Sequence, residues 1–434
     1  ERIEDHLQVE GVTTDVAGEI PLQMSMEERA TDDLKRAEAV SMPIVLILLV
    51  IIFGSVVAAA LPVLVGGLAV FGALGLLRVI SLFADVNVFA LNVASLLGLG
   101  LAIDYGLFIV GRFREEFGTG RGTAESLRRT VASAGRTVAF SATLLIIALA
   151  GLTLFPQEFL KSLSYGGMSA VGLAAVISLT VLPALLGMLG PKVDTLSVPW
   201  RRRDANGRGW RRFADGVMRR PLLTAVPILA ILAALGAPFL LGAQFGTPDE
   251  RMLPAEDESR QAIEKLREEF PAMSDTGIDV VVRGDAGPAE LQRFMGEVKD
   301  IPGVRGVSPA GRGDGVVRLN AGLEGDPYGT ESNHAVEDVR ALSPPGDTEV
   351  LVGGPTALNW DSLQATVEQL PWVAGLLIGA TLVFMFLAFG SVLLPVKAVI
   401  MSALSLSATF GVLTWIFVDG HGTADQRGFG VAAH

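Results

Sequence analysis

Residues 91–117 read LNVASLLGLGLAIDYGLFIVGRFREEF, and this stretch decides the fold. From Val88 to Val110 the only charged residue is Asp104, and a helix of that length crosses the roughly 30 Å hydrocarbon core of a bilayer. A carboxylate near the centre of such a helix costs about 2.5–3.5 kcal/mol on insertion scales, so acids of this kind usually face the bundle interior and mark ion paths. The stretch therefore predicts a membrane helix that carries a functional acid.

Asp104 and Tyr105 are the candidate chemical groups of this helix. Burial in apolar surroundings disfavours the charged carboxylate, which makes Asp104 a candidate proton carrier. The phenol of Tyr105 can donate a hydrogen bond or pass a proton, so the two residues form a candidate proton relay. Two plainer interpretations stay open: Asp104 pairs with a buried cation that fixes helix packing, and Tyr105 serves packing alone.

Small residues surround this pair. Four of them recur at every fourth position of the helix: Ala94, Gly98, Ala102 and Gly106. Such a small-xxx-small stripe lets a second helix approach closely, which predicts a central position in the bundle. Gly100 lies off the stripe, on the side of Asp104. We therefore expect Gly98, Gly100 and Gly106 to be the helix-packing glycines near the relay.

The composition supports residence in a membrane and excludes several other classes. The chain has 434 residues, of which 50% are hydrophobic, with no Cys and a formal net charge of −12. The absence of Cys excludes disulfides and thiolate metal sites. No nucleic-acid partner is expected; an acidic balance argues against one in a soluble protein, whereas in a membrane protein the distribution of charge across the bilayer matters more than its sum. The four histidines are too scattered to predict a zinc site: His6, His334, His421 and His434. No cofactor is expected beyond a proton gradient.

The apolar runs predict about eight transmembrane helices. Ile44 to Leu77 contains 34 residues without a charge, and one helix of that length would measure about 51 Å, far more than the hydrocarbon core. We therefore predict two helices with a break near Gly54 and Ser55. The predicted spans are 39–54, 57–77, 88–110, 138–155, 168–189, 222–241, 372–389 and 393–417.

The distribution of Arg predicts the orientation of these helices. Arg residues flank the loop after the third span and crowd residues 191–220 after the fifth, so both loops should be cytoplasmic. Within the second loop, Gly209 to Arg219 has the pattern of an amphipathic helix on the membrane surface. The acidic segments 1–38 and 243–370 are then expected on the opposite side.

The segment from about 246 to 370 has the pattern of a small α+β domain. Alternating apolar residues predict four strands and two helices in the order β-α-β-β-α-β, a ferredoxin-like unit. The predicted strands are 277–283, 304–308, 315–319 and 348–352, and the predicted helices are 288–298 and 333–342.

A four-residue motif predicts an internal duplication. Phe53-Gly54-Ser55-Val56 recurs 336 residues later as Phe389-Gly390-Ser391-Val392, and at the same offset Gly18 corresponds to Gly354. In both copies a polar helical stretch follows the first Gly, and a membrane span then leads into the motif. We therefore expect two equivalent halves, as is usual in transporters.

The stretch Leu91 to Phe117 strongly resembles the fourth-helix signature of the MMPL (mycobacterial membrane protein large) family within the resistance-nodulation-division superfamily. Residues 133–138 (SAGRTV) and 53–59 (FGSVVAA) add to this resemblance. It implies twelve helices, two porter domains and proton-driven export of lipids or lipophilic molecules. It also implies Asp-Tyr pairs on the fourth and tenth helices, and Asp104 and Tyr105 match the first pair. We expect the chain to lack helix 1, helices 10–12 and the second pair.

This resemblance implies the following division of the chain: 1–38, the tail of the first porter domain; 39–190, transmembrane helices 2–6; 191–220, a cytoplasmic basic linker; 221–242, helix 7; 243–370, the second porter domain; 371–418, helices 8–9; and 419–434, a tail. The expected location is a bacterial cytoplasmic membrane, with the porter domains extracytoplasmic. Lipid cargo, membrane lipids, and accessory membrane proteins or further copies of the chain are the expected partners.

Two other classes compete with a secondary active transporter. A sterol-sensing or scaffold protein would have the same helix arrangement without pumping, and proton flux in liposomes would separate the two. An intramembrane aspartyl protease requires two carboxylates in one site, whereas the spans contain one clear intramembrane Asp. The sequence thus predicts a transporter rather than an enzyme.

Overall fold

The computed structural model describes residues 15–197, 208–242, 253–270, 277–313 and 315–418. The predicted tail 419–434, the Arg residues at 201–203 and the histidines His6, His421 and His434 lie outside these ranges. The chain divides into two compact units. One consists of Glu1–Glu28, Ala243–Glu368 and Ile416–His434, and the other consists of Arg29–Gly242 and Gln369–Trp415.

The larger unit is a helical bundle. Its helices are α2 (Val56–Ile80), α3 (Val88–Gly118), α4 (Thr123–Thr130), α5 (Arg136–Ala150), α6 (Glu158–Leu189), α7 (Arg208–Arg219), α8 (Pro221–Gly242) and α13 (Leu393–Leu413). It also contains most of α1 (Glu19–Phe53) and of α12 (Pro355–Phe389), whose first turns belong to the smaller unit. Within the described residues, eight helical segments are long and apolar enough to cross a membrane. This confirms the predicted number of spans.

Three helices, α2, α3 and α6, pack closely around a core of small side chains. Ala69 of α2, Ala102 of α3 and Ala174 of α6 are each fully buried. Gly66 of α2 lies so close to Leu99 that an added Cβ would stand 2.8 Å from its Cδ1. Small residues let helix backbones approach, which is how membrane helices gain packing energy without a hydrophobic driving force.

The predicted break in the first apolar run lies at Gly54. Helix α1 ends at Phe53, Gly54 has φ +61°, and α2 begins at Val56. The left-handed conformation suits Gly because it lacks a Cβ. Ser55 then caps α2, and its Oγ accepts a hydrogen bond of 3.4 Å from the Ala58 amide. Below, we call residues Phe53 to Val56 the elbow.

The two copies of the motif have the same local structure. Helices α1 and α12 both contain 35 residues. Each follows a Gly with positive φ, Gly18 at +139° and Gly354 at +93°, and each ends at a Phe that precedes a left-handed Gly. Gly390 has φ +64°, within 3° of Gly54. The repeat in sequence is therefore also a repeat in backbone conformation.

The smaller unit contains a four-stranded antiparallel sheet. Its elements are α9 (Glu258–Glu269), β1 (Gly277–Arg283), α10 (Pro288–Lys299), β2 (Val304–Gly313), β3 (Val316–Leu323), α11 (Thr330–Ala341) and β4 (Glu349–Gly353). The strand order β2-β3-β1-β4 is that of the predicted ferredoxin-like unit. Alternate residues of β1, namely Ile278, Val280 and Val282, are fully buried in its core.

Two features of this domain were not predicted. The first is α9, a polar helix whose N-terminus is capped by Asp257. The second is the contribution of α12, the next helix of the chain, whose first turns supply Ala357 and Trp360 to the core of the sheet domain. Arg340 of α11 also makes a bidentate ion pair with Asp361 of α12, with N–O distances of 2.6 and 2.8 Å.

We expect the isolated sheet domain to be more stable when the first turns of α12 are included. A fragment of residues 259–368 should be soluble and show the circular-dichroism spectrum of an α+β domain. A fragment that ends at residue 353 should be less stable by roughly 3 kcal/mol in urea unfolding, because truncating a large core side chain has a cost of that size. Equal stabilities would show that Trp360 is not part of the domain core.

Candidate functional site

Asp104 lies in the middle of α3, on the side that faces away from α2 and α6. It shares an exposed stripe with Leu96, Gly100 and Phe108, and successive members of this stripe are four residues apart. An added Cβ at Gly100 would meet no atom within 4 Å. Among the described residues, none makes a hydrogen bond or ion pair with the Asp104 carboxylate. Within the described residues, the acid therefore lies on the face of α3 opposite α2 and α6.

The opposite side of α3 is tightly packed. Three residues on this side are each at most 1% exposed: Ala94, Ala102 and Ile109. An added Cβ at Gly106 would lie 2.8 Å from Cβ of Pro62 in α2, whereas at Gly98 it would make ordinary contacts of 3.5 Å with Val70 and 3.6 Å with Ala170. Gly106 thus permits the closest approach of α3 to α2, and Gly98 allows ordinary packing. Gly100 packs against none of the described elements.

Tyr105 faces the packed side of α3, unlike its neighbour Asp104. It is 6% exposed, and Ser141 of α5 is a polar neighbour of its hydroxyl. Within the described ranges, however, that hydroxyl makes no hydrogen bond of normal geometry. Successive residues of a helix point about 100° apart. The carboxylate and the phenol are thus adjacent in sequence, while one faces the open side of α3 and the other the interior.

Most hydroxyl groups in the spans bond to their own helix. Thr143 donates to the carbonyl of Ala139 at 2.8 Å, and Thr180 donates to Val176 at 2.6 Å. Ser95 is different, because it donates to the Glu38 carboxylate of α1 at 2.8 Å. Ser95 and Asp104 are nine residues apart, which places them on opposite sides of α3.

A group of ionic contacts surrounds the C-terminal end of α3. Glu116 is 7% exposed and accepts from Arg112 at 2.5 Å and from Arg121 at 2.6 Å. Arg114 is 11% exposed and pairs with Asp194, which follows α6, at 2.6 Å. The sequence indicated these arginines only as a topology signal, because nothing local shows which acid each of them would meet.

Metal binding has no support in the described part of the chain. No group of three or more His, Asp or Glu side chains in these ranges could hold a metal ion. His334 is the one described histidine, and it lies exposed on α11.

Comparison with known proteins agrees with this architecture. The family model described as "MMPL family" matches residues 1–224 and 251–427. The chain is 39% identical, over 96% of its length, to the trehalose monomycolate exporter MmpL3 of Mycolicibacterium smegmatis, and covers 45% of that protein. It is equally similar to MmpL3 of Mycobacterium tuberculosis, with 49% of that protein covered. A mycolic acid-containing lipids exporter, MmpL11 of M. smegmatis, is 32% identical over 95% of the chain and 45% of that protein.

The chain spans about half the length of these relatives. All three are named as exporters, and none of the three names is that of an enzyme. The prediction of a family from sequence is confirmed, as is the prediction of a multi-pass membrane protein. With a family match over nearly its whole length and eight membrane helices in the described residues, this chain belongs to the MMPL family.

Proposed function

We propose that the protein containing this chain uses the proton-motive force to export lipids or lipophilic molecules across the cytoplasmic membrane. The relatives named above export trehalose monomycolate or mycolic acid-containing lipids, which supports a lipid cargo. In this proposal Asp104 and Tyr105 form one half of an intramembrane proton relay, and the sheet domain is an extracytoplasmic porter domain.

The position of Asp104 inside a membrane helix carries the proposal. Asp104 lies in the middle of α3, and an acid held within the bilayer is costly and usually marks an ion path. Its carboxyl group can exist in a neutral and a charged form. The two forms would favour different packings around α3, and a proton can thereby shift the population of two conformations.

The membrane potential supplies enough free energy for such a shift. Moving one charge through 100 mV is worth about 2.3 kcal/mol, which changes a two-state population roughly fifty-fold. In this proposal Tyr105, which is 6% exposed, acts on the packed side of the same helix turn. Protonation at Asp104 would then be transmitted through α3 to α2 and α6, against which this side packs.

Reconstitution of the full-length protein tests the proposal. In liposomes with an imposed pH gradient, we expect lipid cargo to move between leaflets and protons to flow in proportion. Trehalose monomycolate is the first cargo to try, because relatives are named for it. If no proton flux is measured, either with or without lipid, a sterol-sensing or scaffold role is favoured instead.

The proposed orientation can be tested by cysteine labelling, which is free of background because the chain has no Cys. Glu115→Cys, at a position whose side chain is 67% exposed, should react with an impermeant maleimide only after the cells are opened. Leu351→Cys, on the exposed side of β4, should react in intact cells. Labelling of Glu115→Cys in intact cells would show that the topology is the reverse of the one proposed, and the proposed direction of transport would then also be wrong.

A further inference from the structure

The elbow between α1 and α2 is held by residues from two other helices. Arg114 of α3 donates to the carbonyl of Phe53 at 2.8 Å, and its guanidinium lies 5.7 Å from the centre of the Phe53 ring. The same guanidinium pairs with Asp194 at 2.6 Å. One side chain therefore joins the end of α1, the cytoplasmic end of α3 and the turn that follows α6.

The segment after α6 also bonds directly to the elbow. Ser55, which is fully buried, donates from Oγ to the carbonyls of Val193 and Thr195, both at 2.9 Å. The amide of Val56 donates to the carbonyl of Leu196 at 3.4 Å. Leu196 has φ +56°, the one positive φ of a non-glycine residue in the described chain, so this segment keeps an unfavourable backbone conformation where it meets the elbow.

These contacts hold the first elbow, in which Phe53 is 4% exposed. We call the residues that make them the clasp: Arg114 of α3 and residues 193–197, which include Asp194.

We propose that the clasp is a positioning site that fixes the Asp104 helix to the elbow and to the end of α6, so that α2, α3 and α6 move as one body. Asp104 is ten residues from Arg114, about 15 Å along one continuous helix. A helix is stiff over this distance, so anchoring its end sets both the depth and the rotation of Asp104. The inference rests on the proposed function for its consequence in transport, while the clasp itself can be tested without transport.

The distance test uses spin labels on two introduced cysteines, Gly118→Cys at the end of α3 and Met188→Cys at the exposed end of α6. The full chain in nanodiscs should give one narrow distance distribution. Arg114→Lys should broaden it about twofold, because a lysine cannot at once reach the Phe53 carbonyl and pair with Asp194. Asp194→Asn should do the same, whereas Asp194→Glu, which keeps the charge, should not.

Arg112→Lys is the matched control, since Arg112 lies two residues away and pairs with Glu115 and Glu116 instead. In the full-length transporter, Arg114→Lys should lower lipid export at least about tenfold at an unchanged amount of inserted protein, and Arg112→Lys should not. A narrow distribution in Arg114→Lys would overturn the clasp, and a broad distribution with wild-type export would overturn its role in positioning Asp104 for transport. If the wild-type protein moves no lipid, the proposed function fails, and the distances alone decide whether the clasp exists.

Discussion

Asp104→Asn in the full-length transporter should reduce proton-driven export at least about fifty-fold, the population shift that one charge supplies at 100 mV. Asn is similar in size to Asp but cannot carry a charge. Because the two side chains have nearly the same shape, insertion and folding should be unchanged. The measurement is export of lipid from proteoliposomes under a fixed pH gradient, normalised to the amount of inserted protein.

Two further variants give this experiment its controls. Glu115→Gln removes an exposed acid from the same helix and should leave export unchanged. Tyr105→Phe should lower export by a smaller factor if the phenol belongs to the relay, and not at all if it only packs, because its buried hydroxyl makes no hydrogen bond in the described structure. Wild-type export by Asp104→Asn would show that the acid is structural and that the relay mechanism is wrong.

Gly166→Ala should destabilise the bundle by roughly 3 kcal/mol, which is at the upper end of the cost of overpacking a core. An added Cβ at this position of α6 would collide with the carbonyl of Ala90 in α3 and stand 3.1 Å from its Cα. Both obstacles are backbone atoms, so no rotamer change can relieve the collision. The two helices would have to separate, and small residues at such contacts are what hold membrane helices together.

A second glycine of the same helix provides the matched control. A Cβ added at Gly172 would have no other atom within 4 Å. Gly172→Ala should therefore be neutral or should stabilise the helix by about 0.5–1 kcal/mol. Unfolding in mixed micelles of increasing SDS content, followed by circular dichroism, gives both values. Equal midpoints for the two variants would show that α6 does not approach α3 as closely as described.

The sequence by itself determined the number of spans, the break at Gly54 and the order of elements in the sheet domain. These features depend on local patterns: the length of apolar runs, a Gly where the backbone must turn left-handed, and the period of two residues in strands. It also indicated Asp104, because an acid in an apolar run is conspicuous wherever the run folds. The ends of the elements were less well predicted; β2, for example, continues to Gly313 rather than 308.

The tertiary structure alone decided which side of α3 each residue takes. The small-residue stripe predicted close packing near Asp104 in general, but the structure places Gly106 against Pro62 and leaves Gly100 beside Asp104 on the open side. A helical pattern shows which residues share a face, and it cannot show which neighbour covers that face.

The clasp and the role of α12 were also invisible in the sequence. Arg114 and Asp194 are 80 residues apart, and Trp360 belongs to a helix that reads as a membrane span along most of its length. Their contacts arise only when packing brings distant segments within hydrogen-bond or van der Waals distance. Hydropathy and propensity are properties of neighbouring residues, whereas ion pairs and shared cores between distant segments are properties of the folded chain.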